Sequence, residues 1–146
     1  MACSCDLAIA SDRAEWRLTQ VNLGIMPQHA ATVRVARWVG KANAMKLALG
    51  FPIKAEEGHR IGLAQWLVPH DKLLDEACAL ADHIARLPPL AVRLIKESMN
   101  RGLDMTSLAD VALMDVYRAM TLGLTSDSEE SHLAWREKRP PKFEGR

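Results

Sequence analysis

The sequence predicts a helix-rich α/β protein, with a strand-and-turn opening followed by helices that form a C-terminal helical subdomain. Three observations carry this reading. Leu7 and Ile9 stand among small residues over 6–10 and read as a short buried strand, closed by the turn Ser11-Asp12-Arg13-Ala14. Leu73, Ala77, Leu80, Ile84 and Leu87 recur at steps of four, three, four and three, which is one face of a helix over 71–87. Over 104–122 the apolar residues run nearly all the way round, so that helix needs burial on several sides. A chain of 146 residues has few ways to supply it, and a partner surface, most simply a second copy, is expected there.

The other elements follow in order. Residues 16–19 extend again. Helices cover 28–39, 41–49 and 56–61, and Gly40, Gly50 and Gly62 end them. A short strand over 65–68 precedes Pro69. Pro88 and Pro89 break the chain ahead of a helix over 90–101, which places Ala91, Leu94, Ile95, Ser98 and Met99 on one side. Ser126-Asp127-Ser128-Glu129 fits a capping box for the last helix. Glu129 and Glu130 suit the positive end of its dipole, Lys138 and Arg139 the negative end, and Pro140-Pro141 stops it.

Composition narrows the function classes. Apolar residues make up 49% and charged residues 25%, as in ordinary globular proteins. A net charge of +1 gives no case for nucleic acid or an anionic membrane. No stretch is long and apolar enough to span a bilayer. The three cysteines, Cys3, Cys5 and Cys78, are odd in number and form no CxxC pair. They read as reduced thiols in a cytoplasmic compartment, and no metal set is evident. The chain opens on apolar residues without a basic leader, and Asp6 interrupts them. It reads either as beginning inside a larger fold or as having lost an upstream part.

One stretch has the grammar of a site. RLTQVNLGIMPQHAATVRVAR, Arg17 to Arg37, runs from an extended piece through a Gly-containing turn and a proline into a helix. It holds no Asp, Glu, Cys or Lys, and only His29 titrates near neutral pH. His29 reads either as a replacement base or as a first-turn residue facing solvent. Glu56, Glu57 and His59 crowd one short helix, but near-consecutive helical residues do not converge on a metal. His70-Asp71 reads as a helix entry and His83 as part of a polar face. Trp16, Trp38, Trp66 and Trp135 read as core or interface residues.

Six blocks in this order resemble the enoyl-CoA hydratase/isomerase (crotonase) family over its C-terminal half: CDLAIAS, LTQVNLGIMP, RVARWVGKANAMKLALG, AEEGHRIGLAQWLVP, AVRLIKESMNRG and WREKRPPKFEGR. The resemblance implies the C-terminal part of a ββα spiral over 1–69 and a helical oligomerisation subdomain over 70–146, assembling as a trimer or hexamer. It implies an acyl-CoA thioester as substrate, with coenzyme A entering only as part of that substrate and no separate cofactor. In the family, two backbone N–H groups stabilise enolate charge on the thioester oxygen, and positioned carboxylates move protons.

The sequence departs from the family pattern in three places. The upstream half, with one oxyanion donor, is absent. The second donor belongs to a turn opening the helix whose tail is 1–4, and the first glutamate position falls immediately before Met1. The second glutamate position holds Gln20, whose amide neither takes up nor releases a proton at neutral pH. The family's Gly-Ala-Gly-Gly reads Gln28-His29-Ala30-Ala31, so side chains narrow the acyl pocket. The resemblance thus assigns Gln20 to a usual catalytic position, Gln28 and His29 to the acyl end, and Lys138 to the phosphate or adenine of CoA. A bare helix-end cation is the other reading of Lys138. The expected function is a crotonase-family acyl-CoA enzyme that is inactive as this chain alone. The alternative is a non-catalytic binding or assembly subunit.

Overall fold

The computed structural model describes residues 4–146. They fall into two compact units, one up to Ala79 and one from Leu80.

In the first unit, β1 (Ile9–Ser11) lies parallel to β4 (Trp66–Val68), with Ile9 opposite Trp66 and Ser11 opposite Val68. The Ala8 N–H donates to Gln65 Oε1 at 2.8 Å, and the Gln65 N–H donates back to the Ala8 carbonyl at 2.8 Å. β2 (Glu15–Trp16) runs antiparallel to β3 (Ile53–Lys54). The strand expected over 6–10 is paired as a ladder only from Ile9 and runs on to Ser11. The extension expected over 16–19 ends at Trp16, where the two-residue ladder ends. β3 is too short to show a period in the sequence, and only its pairing defines it.

α1 (Ala31–Ala48) is two helical arms joined at Gly40, whose φ of 78° and ψ of 159° are open to glycine and strained for other residues. The expected stop at Gly40 is thus a kink. The first arm starts at Ala31 rather than at 28, because His29 and Ala30 adopt left-handed backbone. Val35 and Val39 from one arm, Ala44 and Leu47 from the other, Ile53 of β3 and Leu63 form the core. Trp16, Leu18 and Trp38 pack around it. Ile53 is fully buried, and side chains of that size contribute about 1.5–3 kcal/mol each on burial. α2 (Ala55–Arg60) lies against Trp16 at Gly58, where an added Cβ would stand 2.2 Å from Trp16 Cζ3.

α3 (Leu73–Ala85) follows a 3-10 turn over His70–Lys72. Leu73, Ala77, Leu80 and Ile84 are half-buried and the rest of the helix is exposed, as the periodicity requires. Leu87 lies past its end. The N–H groups of Arg86 and Leu87 close tight turns to the carbonyls of His83 and Ile84 ahead of Pro88.

The second unit holds α4 (Pro89–Gly102), α5 (Leu108–Gly123) and α6 (Ser126–Glu137). Pro89 begins α4 instead of merely breaking the chain, since a first-turn N–H has no partner to lose. α5 starts at Leu108, later than the expected 104, because Ser107 Oγ caps it by accepting from the Asp110 N–H at 3.2 Å. Arg118 donates to Glu97 at 3.1 Å and Ser98 donates to Asp115, which ties α5 to α4. A groove of about 810 Å³ runs between them, lined by Leu94, Ile95, Met99, Leu103, Leu108 and Leu122 among others. Leu108 is 82% exposed and Met120 64%, so the several-sided burial expected for α5 is not supplied by the described residues.

The capping box expected at Ser126 is replaced by a cap one residue earlier. Thr125 Oγ1 accepts from the Ser128 N–H at 3.2 Å, and Ser126, now the first helical residue, donates to the Arg146 carbonyl. Cys5 and Cys78 are free and exposed. Cys3, and all but Ser4 of the helix tail expected over 1–4, lie outside the described residues. No described helix is long and apolar enough to cross a membrane.

Gly58→Ala forces a Cβ into the Trp16 ring and is expected to lower stability by about 1–3 kcal/mol in urea unfolding. An unchanged midpoint would show that Trp16 does not hold β2 and α2 together.

Candidate functional site

The stretch from Arg17 to Ala31 leaves β2, folds into a 3-10 turn over Gln20–Leu23, and enters α1. Leu18 anchors its start in the core, and Pro27 is buried near its end. Gly24 takes φ 69° and lets the turn close, with the Gly24 N–H bonded to the Val21 carbonyl at 3.1 Å and the Ile25 N–H to the Gln20 carbonyl at 3.2 Å. The turn rests on Gly50, where an added Cβ would meet Asn22 Oδ1 at 3.6 Å and Val21 Cγ1 at 3.7 Å.

Polar and apolar groups separate along this loop. Gln20 is half-buried, and its Oε1 is buried without a hydrogen-bond donor. Buried acceptors of this kind are rare, because the group loses water and gains nothing in return. Leu23, Ile25 and Met26 are 75%, 57% and 67% exposed, so an apolar lip flanks that unpaired oxygen in the chain. Gln28 and His29 are both exposed. His29 faces solvent, but it sits before the helix and not in its first turn.

His29 and Ala30 carry φ of 58° and 57°. Such backbone costs side-chain-bearing residues roughly 1–2 kcal/mol each. The loop therefore keeps a glycine-type path where the sequence has no glycine. The absent glycines were visible in the sequence, and the strain that follows from them was not read there.

The remaining titratable candidates turn to separate partners. Glu57 accepts from Lys46 Nζ at 2.7 and 2.9 Å, Glu56 is exposed, and His59 Nδ1 lies 3.0 Å from the Ala64 carbonyl. His70 Nδ1 lies 3.3 Å from Ser11 Oγ.

Lys138 belongs to the second unit. It ends α6 at φ 54°, is exposed, and forms no ion pair among the described residues. Sequence reading missed what lies around it. The Arg139 guanidinium donates to both Glu130 oxygens, at 2.6 and 2.8 Å, and to Glu137 at 2.6 Å. The Lys142 N–H donates to Glu130 at 2.7 Å. The buried Asp127 accepts the Glu144 and Gly145 N–H groups at 2.7 and 2.9 Å. Glu130 was expected to serve the helix dipole, and Asp127 stood within the capping-box stretch without a role of its own; both hold the C-terminal segment. The Arg139 guanidinium, helped by the Lys142 N–H, brings the Glu130 carboxyl down from 4.5 to about 2, and Glu130 in turn raises Arg139 above its ordinary range.

The fold of the described residues is that of enoyl-CoA hydratases. The chain is similar to the solved enoyl-CoA hydratase of Bacillus anthracis, with a TM-score of 0.94 and 33% identity over 99% of this chain and 56% of that one. The enoyl-CoA hydratase of Mycobacterium tuberculosis gives a TM-score of 0.92 at 27% identity, over 99% of this chain and 57% of that one. The chain belongs to the enoyl-CoA hydratase/isomerase family, whose family model matches residues 1–146. Curated relatives agree. The chain is 34% identical over 147 residues to the 2,3-dehydroadipyl-CoA hydratase of Escherichia coli, covering all of this chain and 57% of the relative. It is 35% identical over 149 residues to the short-chain-enoyl-CoA hydratase of Clostridium acetobutylicum, covering 99% and 55%. The chain thus spans a little over half the length of the relatives it matches.

Two outcomes follow. Ala30→Gly relieves left-handed strain at the cost of unfolded-chain entropy, so it is expected to raise stability by about 0.5–1 kcal/mol, while Ala30→Val lowers it; urea midpoints check both. Between pH 4.5 and about 2 the unfolded Glu130 binds a proton that the native one does not. Its stabilisation is therefore complete above pH 4.5 and is lost as pH falls toward 2. Glu130→Gln should flatten the stability curve in that window, and a slope equal to the parent's would contradict the clamp.

Proposed function

We propose that the first unit of this chain supplies one wall of an acyl-CoA site of the hydratase/isomerase type, and that the second unit separately supplies a CoA contact. Gln20 stands at the catalytic position, Gln28 and His29 border the acyl end, and Lys138 meets the phosphate or adenine of CoA. The observation that carries the reading is the unpaired, buried Gln20 Oε1, followed in the chain by the exposed apolar residues Leu23, Ile25 and Met26. An acyl chain suits the lip, and a water suits the oxygen. Because a carboxamide does not exchange protons at neutral pH, Gln20 orients and does not act as general acid or base. The chain alone is therefore proposed to be inactive, in the cytoplasm, with no cofactor other than the CoA of its substrate.

The alternative reading, a non-catalytic binding or assembly subunit, has its own support in the exposed apolar face of α4 and α5. On either reading we propose a homo-oligomer, trimer or hexamer, that covers this face. A sedimentation profile showing only a monomer at tens of micromolar would count against that part.

Crotonyl-CoA tests the site. Hydration by the purified chain, followed by loss of the enoyl absorbance, is expected at the level of a heat-inactivated control, and turnover above control would contradict the inactivity. In an amide-resolved NMR titration, crotonyl-CoA is expected to shift Val21–Met26 and Lys138. No shift in the Val21–Met26 loop would contradict its role as acyl wall, and no shift at Lys138 would contradict its CoA contact.

A further inference from the structure

Lys138 is a lysine where a helix end of this shape is ordinarily glycine or asparagine. Its φ of 54° is held from both sides. On the helix side, the N–H groups of Lys138 and Arg139 bond to the carbonyls of Trp135 and Ala134 at 3.3 and 3.0 Å. On the other side, the next residue, Arg139, forks onto Glu130, about two helical turns back, and the Lys142 N–H closes on the same carboxylate. Lys138 is thus the apex of a loop whose two flanks are fastened to one helix. Its neighbour's charge is fully used by Glu130 and Glu137, while its own ammonium is exposed and unpaired among the described residues.

We propose that Glu130 and Arg139 are positioning residues for Lys138: their bidentate pair holds the left-handed turn that presents the Lys138 ammonium to a phosphate of the CoA nucleotide. This rests on the reading of Lys138 as a CoA contact. The pair does not touch the ligand. It acts by removing the backbone freedom that would let a long, flexible lysine point elsewhere.

The experiment compares affinity for CoA with affinity for dephospho-CoA, which lacks only the 3′-phosphate, using the 146-residue chain and NMR titration. The parent is expected to prefer CoA by about fivefold, the scale of an exposed ion pair. Lys138→Met should abolish the preference. Glu130→Gln should reduce it to under about twofold, leave dephospho-CoA affinity unchanged, and expose the Lys142 amide to hydrogen exchange. Arg139→Gln breaks the same fork from the other side and serves where Glu130→Gln does not fold. A parent without the preference, or Lys138→Met retaining it, would overturn the reading of Lys138 and the proposal with it. Lys138→Met losing the preference while Glu130→Gln keeps it, with the Lys142 amide released, would overturn the positioning proposal alone. Equal weakening of both ligands would also overturn it, because that is the signature of a merely structural clamp.

Discussion

The contact of the Trp16 ring with Gly58 is the constraint on which the candidate loop depends. β2 and β3 share only two residue pairs, and a ladder that short has little stability of its own. Gly58 gives the indole room that any side chain would fill, so α2 backs the ladder where the chain turns into Arg17 and Leu18. From there Leu18 enters the core, and the 3-10 turn of Gln20 rests on Gly50. At the far end, buried Pro27 and the core residues Val35 and Val39 of α1 fasten the exit. A loop held at both ends can keep Gln20 Oε1 buried without a donor and still tolerate two left-handed residues, His29 and Ala30.

The two units use the same device on different material. In each, side-chain-bearing residues occupy backbone that glycine would take at lower cost: His29 and Ala30 before α1, and Lys138 after α6. In each, the surroundings over-determine the strained turn, through core packing in one case and through a carboxylate–guanidinium fork in the other. Of these, His29 and Lys138 are positions that the family resemblance assigns to ligand contacts. Strain held in place by its surroundings is one way a fold presents a group in a single orientation. In the proposed acyl wall, Gln20 contributes a carboxamide, which donates and accepts hydrogen bonds without exchanging a proton at neutral pH.

What the sequence revealed was local. The stripe of Leu73, Ala77, Leu80 and Ile84 is set by helical geometry and was readable from spacing alone. The breaks expected at Gly40, Gly50 and Gly62 coincide with positive φ values, at Gly40 as a kink, because glycine's freedom is a property of the residue itself. Non-local features were not readable. β1 finds its partner 57 residues downstream, as the Ile9–Trp66 pairing shows, and β3 is defined by its pairing with Glu15 and Trp16. Asp127 and Glu130 look like helix-start acids in sequence, yet the returning tail supplies them with backbone N–H and guanidinium donors. Gln20 was legible as a departure from the family pattern, but the missing donor at its oxygen required coordinates.

The central claim is that the loop from Gln20 to His29 faces the acyl end of a CoA thioester. The most direct test is a photoreactive acyl-CoA with a diazirine at the acyl terminus, irradiated with the chain and mapped by peptide mass spectrometry. Adducts are expected between Gln20 and His29, competed away by unlabelled crotonyl-CoA. Competed adducts found only outside that loop would contradict it.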